Sequence, residues 1–457
     1  MDEHLLEMEM KKCITLDGQL APGIVGGIHS SNLHLQLESV SKVAQLLRSK
    51  TLSADILLQA VVDSGLLPNV INMLSSPDAA LGSEASSIIL NITLGTSQQT
   101  SAAVSAGAIP KLVAASACEV EAVAHNALLA LGNIAGDSEE LRNTLLEKRA
   151  YRPALEILAD PSKHSAKVVD ASAWMMESCA APGTLVKYQS ILTCIREAIP
   201  ILCKFIQQKN KPKPLAAVVK ALRHMCFSSK AFNMIFDGGI VPRLVQFCTS
   251  KNDGLREGAL LLMVRLASGG EMLLQSLLDN DVIQSLQICI TNYAQSRRPG
   301  CLIASSIAKA TPLRAEALVE SSVLPLLTRI VADQEEELKA RNEAMTALFY
   351  LAQKGAINHR FFNLLVEADC VEACCGALGC TDWGIIPKAV ETIESLIHTR
   401  WSGAEDARER LKDSDGVDLL RDVWLEGRES EWTESESETA HLLLRTYFPE
   451  SSKPPRV

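Results

Sequence analysis

Apolar positions along the chain recur at helical spacing, and they do so in blocks that repeat. Across 33–47, Leu37, Val40, Val43, Ala44 and Leu47 fall on one face, which predicts an amphipathic helix. Residues 122–134 are apolar on nearly every face, as expected of a helix packed between neighbours on both sides. The stretch 83–137 carries one pattern twice: a mostly apolar run ends in Asn91-Ile92 and again in Asn133-Ile134. A Gly95-Thr96-Ser97 or Gly136-Asp137-Ser138 turn follows each.

A second landmark keeps the same beat. Gly65-Leu66-Leu67-Pro68, Gly107-Ala108-Ile109-Pro110, Glu197-Ala198-Ile199-Pro200, Gly239-Ile240-Val241-Pro242 and Ser322-Val323-Leu324-Pro325 share one Gly-x-apolar-Pro form. Weaker copies put Pro153, Gln284, Glu372 and Leu419 in the Pro slot. The steps run from about 41 to about 47 residues, the period of armadillo or HEAT helical repeats. The Asn slot follows in register as Asn91, Asn133, Ser178, His224, Arg265, Ser306, Tyr350 and Ser395. Glycine tolerates the positive φ of the turn, and proline suits a first helical turn, where its missing N–H would be unpaired anyway. Each unit exposes an apolar face that only the next can cover, so the units stack. The expected fold is all-α, a right-handed superhelical solenoid of about eight to nine armadillo repeats over 33–425. Residues 1–32 are expected to be poorly ordered, with Ala21-Pro22-Gly23 and Gly26-Gly27 breaking any helix. Residues 426–457 read as an acidic linker, a short terminal helix over 439–448 and a tail. Segments 211–214, 251–254 and 297–300 read as loops, and 401–415 as a polar interruption.

Composition narrows the function. Hydrophobic residues make up 47% but aromatics only 4%, the aliphatic balance of stacked helices. A net charge of −10 and a pI near 5.5 argue against nucleic acid or anionic membrane as main partners and suit a receptor for basic segments. The 13 cysteines are spread through helical segments and read as small core hydrophobes in a reducing compartment. One cluster, Cys370, Cys374, Cys375 and Cys380, has no nearby histidine to complete a zinc set. No stretch has the length to span a bilayer, and 1–30 lacks a signal-sequence pattern. There is no G-x-S-x-G, phosphate loop or H-E-x-x-H, and no histidine pair has ligand spacing. A non-enzyme without cofactor or metal is expected, monomeric by default.

In a stacked array, equivalent helices line one concave face, so the Asn slots form a row. An Asn amide there can donate to and accept from the backbone of one extended peptide, or it can tie down its own helix end. Here the sequence resembles a family, importin alpha, the armadillo adaptor for basic nuclear localisation signals. The resemblance is strongest from Gln36 to Trp174, and Ala130-Leu131-Gly132-Asn133-Ile134-Ala135-Gly136-Asp137-Ser138 carries it best. It implies that Asn91 and Asn133 hold a cargo backbone and that Gly95, Thr100 and Asp137 form the pocket for one lysine, with Thr96 kept in register beside them. It further implies that Trp174 walls an aliphatic stem. The tryptophan slots before Asn91 and Asn133 hold Ser87 and Leu129, and the Asn partner of Trp174 is Ser178.

These departures have a size. A cation on an aromatic face contributes about 0.5–2 kcal/mol, so two missing rings weaken binding by roughly tenfold to a thousandfold. Lys220 and Arg265, on the later ladder, would repel basic cargo, so no second basic-peptide site is expected towards the C-terminal half. In 1–30 only Lys11 and Lys12 are basic, so the family's importin-beta-binding segment is not expected. The resemblance implies an import adaptor of cytoplasm and nucleus, with a basic-segment protein cargo and other transport factors as partners. The competing reading is a non-transport armadillo scaffold for protein–protein interaction, with Asn91 and Asn133 as inherited structure.

Overall fold

The structure is a computed structural model that describes residues 13–15, 18–48, 52–183, 188–380, 384–427 and 434–452. Among these residues the regular elements are helices, with a single isolated bridge between Ile14 and Leu20. The chain divides into two compact units, Met1–Gly239 and Ile240–Val457. In each, two short helices and a longer third helix recur, as the armadillo pattern requires.

In the first unit the long helices are α1 (Leu33–Arg48), α2 (Ala79–Leu94), α3 (Glu121–Asp137), α4 (Ala166–Ala180) and α5 (Pro212–Met225). Each packs on the next. The burial of α3 explains its composition: Ala127, Leu128, Ala130, Leu131, Ile134 and Ala135 are all fully buried, against α2 on one side and α4 on the other. Polar side chains stitch the layers as well. Gln99 donates to Gln59 (2.8 Å), Asn126 to Ser86 (3.0 Å) and Asn133 to Thr93 (3.2 Å), each pair 40 residues apart.

The second unit repeats the scheme with α6 (Asp253–Ala267), α7 (Ala294–Lys309), α8 (Leu338–Gly355), α9 (Ile386–Ile397) and α10 (Glu434–Tyr447). Its stitches are cationic and aromatic. Lys354 Nζ donates to the Ala308 carbonyl (2.6 Å), Lys388 Nζ to Asn342 (2.6 Å) and Trp401 Nε1 to the Gly355 carbonyl (3.1 Å), 46 residues apart in each case. Helix α10 packs on α9 and on the helix Gly416–Gly427, so it takes the third-helix place of a last repeat.

The turn slots behave as their residues dictate. Gly65, Gly107 and Gly239 have φ of +73°, +89° and +63°. Asp281 and Asp369, both at +58°, fill the same slot three residues before Gln284 and Glu372. A short polar side chain is among the few that tolerate this left-handed region.

Several expected loops are helical. Pro22–His29 is a helix whose Ile24 and Ile28 are buried, with Pro22 in the first turn. Burial against α1 outweighs the weak helix propensity of its glycines. At Gly27 a Cβ would lie 1.9 Å from Ser39 Oγ, so the glycine marks a close approach rather than a break. Pro299 lies inside α7, and Gly300 lets that helix close on Ile290. Lys211 and Asn252 are the caps before Pro212 and Asp253, so those two expected loops belong partly to helices. Ala404–Asp413 is a helix within the expected polar interruption. The Glu197–Pro200 slot makes no turn: it lies within the continuous helix Tyr188–Gln207, where Glu197 binds Arg152 (2.8 Å) and accepts from Tyr151 (3.1 Å). The acidic linker expected from 426 lies partly outside the described residues.

Candidate peptide-binding groove

Helical periodicity sets which side chains share the ladder face of the first unit. On α2 these are Glu84, Ser87 and Asn91. On α3 they are Asn126, Leu129, Asn133 and Asp137; on α4, Asp170, Trp174, Glu177 and Ser178; on α5, Lys213, Lys220 and His224. Asn91, Leu129, Asn133, Asp137, Trp174 and Ser178 are all half-buried, as a lining open on one side should be.

The first candidate turn is built by local chemistry. Thr96 caps the helix Ser97–Ser105 in a reciprocal box, accepting from the Gln99 amide (3.3 Å) while Gln99 Oε1 accepts from the Thr96 amide (2.9 Å). Gly95 is needed for this, because a Cβ there would lie 2.1 Å from Gln99 Oε1. Gly95, Thr96 and Ser97 are exposed. Thr100 is fully buried, and its hydroxyl donates to the Thr96 carbonyl (3.3 Å), so it supports the turn from beneath.

Across the layer, Ser97 Oγ donates to Asp137 Oδ1 at 3.0 Å, which brings the acid at the end of α3 to the Gly95–Thr96–Ser97 turn. Ser97 was visible in the turn motif but carried no assigned role; its partner is 40 residues away in sequence. The two asparagines differ. Asn91 Nδ2 donates to the Ser87 carbonyl of its own helix (2.8 Å), whereas Asn133 Nδ2 reaches Thr93 on α2 (3.2 Å). The indole of Trp174 lies flush on Gly132, where a Cβ would come within 2.3 Å of the ring. Gly132 is therefore the floor under this aromatic wall.

The remaining carboxylates along this face already have cations. Glu84 binds Arg48 (2.8 Å), Asp170 binds Lys213 (3.4 Å) and Glu177 binds Lys220 (3.7 Å). The Arg48 guanidinium also reaches Ser87 Oγ (3.4 Å), so the slot that Ser87 occupies is lined by a cation. Among the described residues no cationic side chain pairs with Asp137.

Comparison with known proteins fits this geometry. Residues 96–136, which span Thr96 to the end of α3, match the armadillo/beta-catenin-like repeat family. Importin subunit alpha-2 of Arabidopsis thaliana is 29% identical over 227 residues, 49% of this chain and 41% of that protein. Importin subunit alpha-1b of Oryza sativa is 23% identical over 413 residues, 88% of this chain and 75% of that protein. The chain thus spans about two-fifths of the length of the first relative and three-quarters of the second. The crystal structure of an engineered protein superposes with a TM-score of 0.77 at 20% identity, covering 92% of this chain and 97% of that one. The chain has the armadillo fold and is similar to importin alpha subunits.

Proposed function

We propose that the ladder face of the first unit binds an extended polypeptide and takes a lysine of it at Asp137, in the manner of a nuclear import adaptor. The observation that carries this reading is the Asp137 carboxylate. It is held in place by Ser97, half-open to solvent, and among the described residues has no cation of its own beside three carboxylates that do. A ligand ammonium has three donors to offer such a site. The exposed Gly95–Thr96–Ser97 turn, the Asn133 amide and the Trp174 ring flank it and supply backbone and stem contacts. Asn91, Leu129 and Ser178 line the face on either side, while the Ser87 slot is buried beneath Arg48. Similarity to importin subunits supports cargo with a basic segment, other transport factors as partners, and passage between cytoplasm and nucleus.

The test is the affinity of a labelled Lys-Lys/Arg-Lys peptide by fluorescence anisotropy, for the parent chain and for Asp137→Lys. Hydrogen bonds to a charged group contribute about 1.5–3 kcal/mol each, so Asp137→Lys is expected to weaken binding by about tenfold or more. Binding indifferent to that change would favour the scaffold reading, in which this face holds some other polypeptide.

A further inference from the structure

From α2 to α5 the charged residues of the long helices change sign. Helix α2 carries Glu84 as its one charged residue, α3 carries Glu121 and Asp137, and α4 carries Lys167, Asp170 and Glu177. Helix α5 carries Lys213, Lys220 and Arg223 and no acid. Lys213 and Lys220 are seven residues apart and so share a face, the same face as His224. They reach back to Asp170 and Glu177, likewise seven apart on α4, at 3.4 and 3.7 Å. Both pairs are long and partly solvated: the Lys213 side chain is 81% exposed and that of Lys220 38%. Neither lysine has its donors used up. Lys220 also occupies the ladder slot that holds Trp174 on α4, where a further aromatic wall would extend a basic site.

We propose that this face selects a bipolar segment: a lysine for Asp137 and, further along the same extended strand, an aspartate or glutamate for Lys220. The proposal rests on the peptide-binding reading above and specifies its ligand. Packed helices lie about 8–10 Å apart, and an extended chain advances about 3.3 Å per residue. One ladder step therefore takes about three residues. Asp137 on α3 and Lys220 on α5 are two steps apart, which places the ligand's acid about six residues from its lysine. Glu177 gives up part of its contact with Lys220 when that acid arrives, and Arg223, next to His224 at 3.3 Å, keeps the end of the face cationic.

The experiment compares three labelled peptides at low salt: a basic segment with neutral flanks, the same segment with an acidic pair about six residues to its N-terminal side, and one with the pair to its C-terminal side. One of the two flanked peptides is expected to bind about threefold to fivefold tighter than the neutral one, the scale of a partly exposed ion pair. That gain should vanish in Lys220→Ala, while the neutral-flanked peptide binds this variant at least as well as it binds the parent chain. If neither flank improves binding, or if the gain survives Lys220→Ala, the bipolar ligand is refuted and the Asp137 site stands. If the neutral-flanked peptide fails to bind at all, the peptide-binding reading falls and takes this proposal with it.

Discussion

Gly132 offers a sharp test of the aromatic wall, because the sign of its substitution depends on one neighbour. It sits inside α3, where replacing glycine by alanine ordinarily stabilises a helix by about 0.5–1 kcal/mol. Here the new Cβ would lie 2.3 Å from Trp174 Cζ3, 2.7 Å from Cε3 and 3.2 Å from Cη2. Carbon atoms rest about 3.5–4.0 Å apart, so the indole must retreat by roughly 1.2–1.7 Å. Overpacking of this kind costs about 1–3 kcal/mol. Gly132→Ala should therefore be destabilising in the parent chain and stabilising by about 0.5–1 kcal/mol in a Trp174→Ala background. The difference between backgrounds isolates the clash. Stacked repeats need not unfold in one step, so the readout is amide hydrogen exchange within α3 together with the urea midpoint. The same effect in both backgrounds would refute the contact. Displacing the ring should also weaken binding of the basic peptide, and retained affinity would remove Trp174 from the proposed site.

Other outcomes follow from single groups. Partial desolvation, and then the neighbouring Glu394 and Glu436, raise the carboxyl of the largely exposed Glu391 above its ordinary range. For an acid this means its charged form is disfavoured in the fold, so stability is lost as pH rises from the unfolded value through the raised one. Glu391→Gln should thus stabilise the second unit at neutral pH and change little below the carboxylate range; an unchanged urea midpoint at pH 7 would count against it. Among the described cysteines Cys118 is exposed, Cys380 is intermediate and the other eleven are buried. Burial pushes the Cys179 and Cys375 thiols up to about 12. Mass spectrometry after brief alkylation of the native protein should find Cys118 modified first, and early labelling of Cys179 or Cys375 would contradict the packing.

What could be read from sequence was whatever is decided within a turn or two of the chain. The apolar runs fix which residues are helical, and the glycine slots before Pro68, Pro110 and Pro242 adopt the positive φ their residue type allows. The thirteen cysteines read as core hydrophobes, and eleven of them are buried. Misreadings arose where a local rule met a packed neighbour. Pro299-Gly300 looks like a loop until Ile290 is placed against Gly300, and Gly26-Gly27 looks like a break until Ser39 fills the space beside it. The Glu197-Ala198-Ile199-Pro200 slot keeps the period but lacks the glycine, and the chain continues as helix through it.

The candidate site divides in the same way. Its register, from Ser87 and Asn91 to Trp174 and Ser178, was set by the repeat period, because one helical residue per repeat must face the same side. Which of these side chains interact was decided by tertiary structure alone. Ser97 with Asp137, Trp174 on Gly132, Lys213 with Asp170 and Lys220 with Glu177 each join residues about 40 apart, brought together only when one layer packs on the next. Sequence supplied the period and the residue types on the face. The distances between layers determined which charges on this face are neutralised within the protein: Glu84, Asp170 and Glu177 are paired, and among the described residues Asp137 has only Ser97.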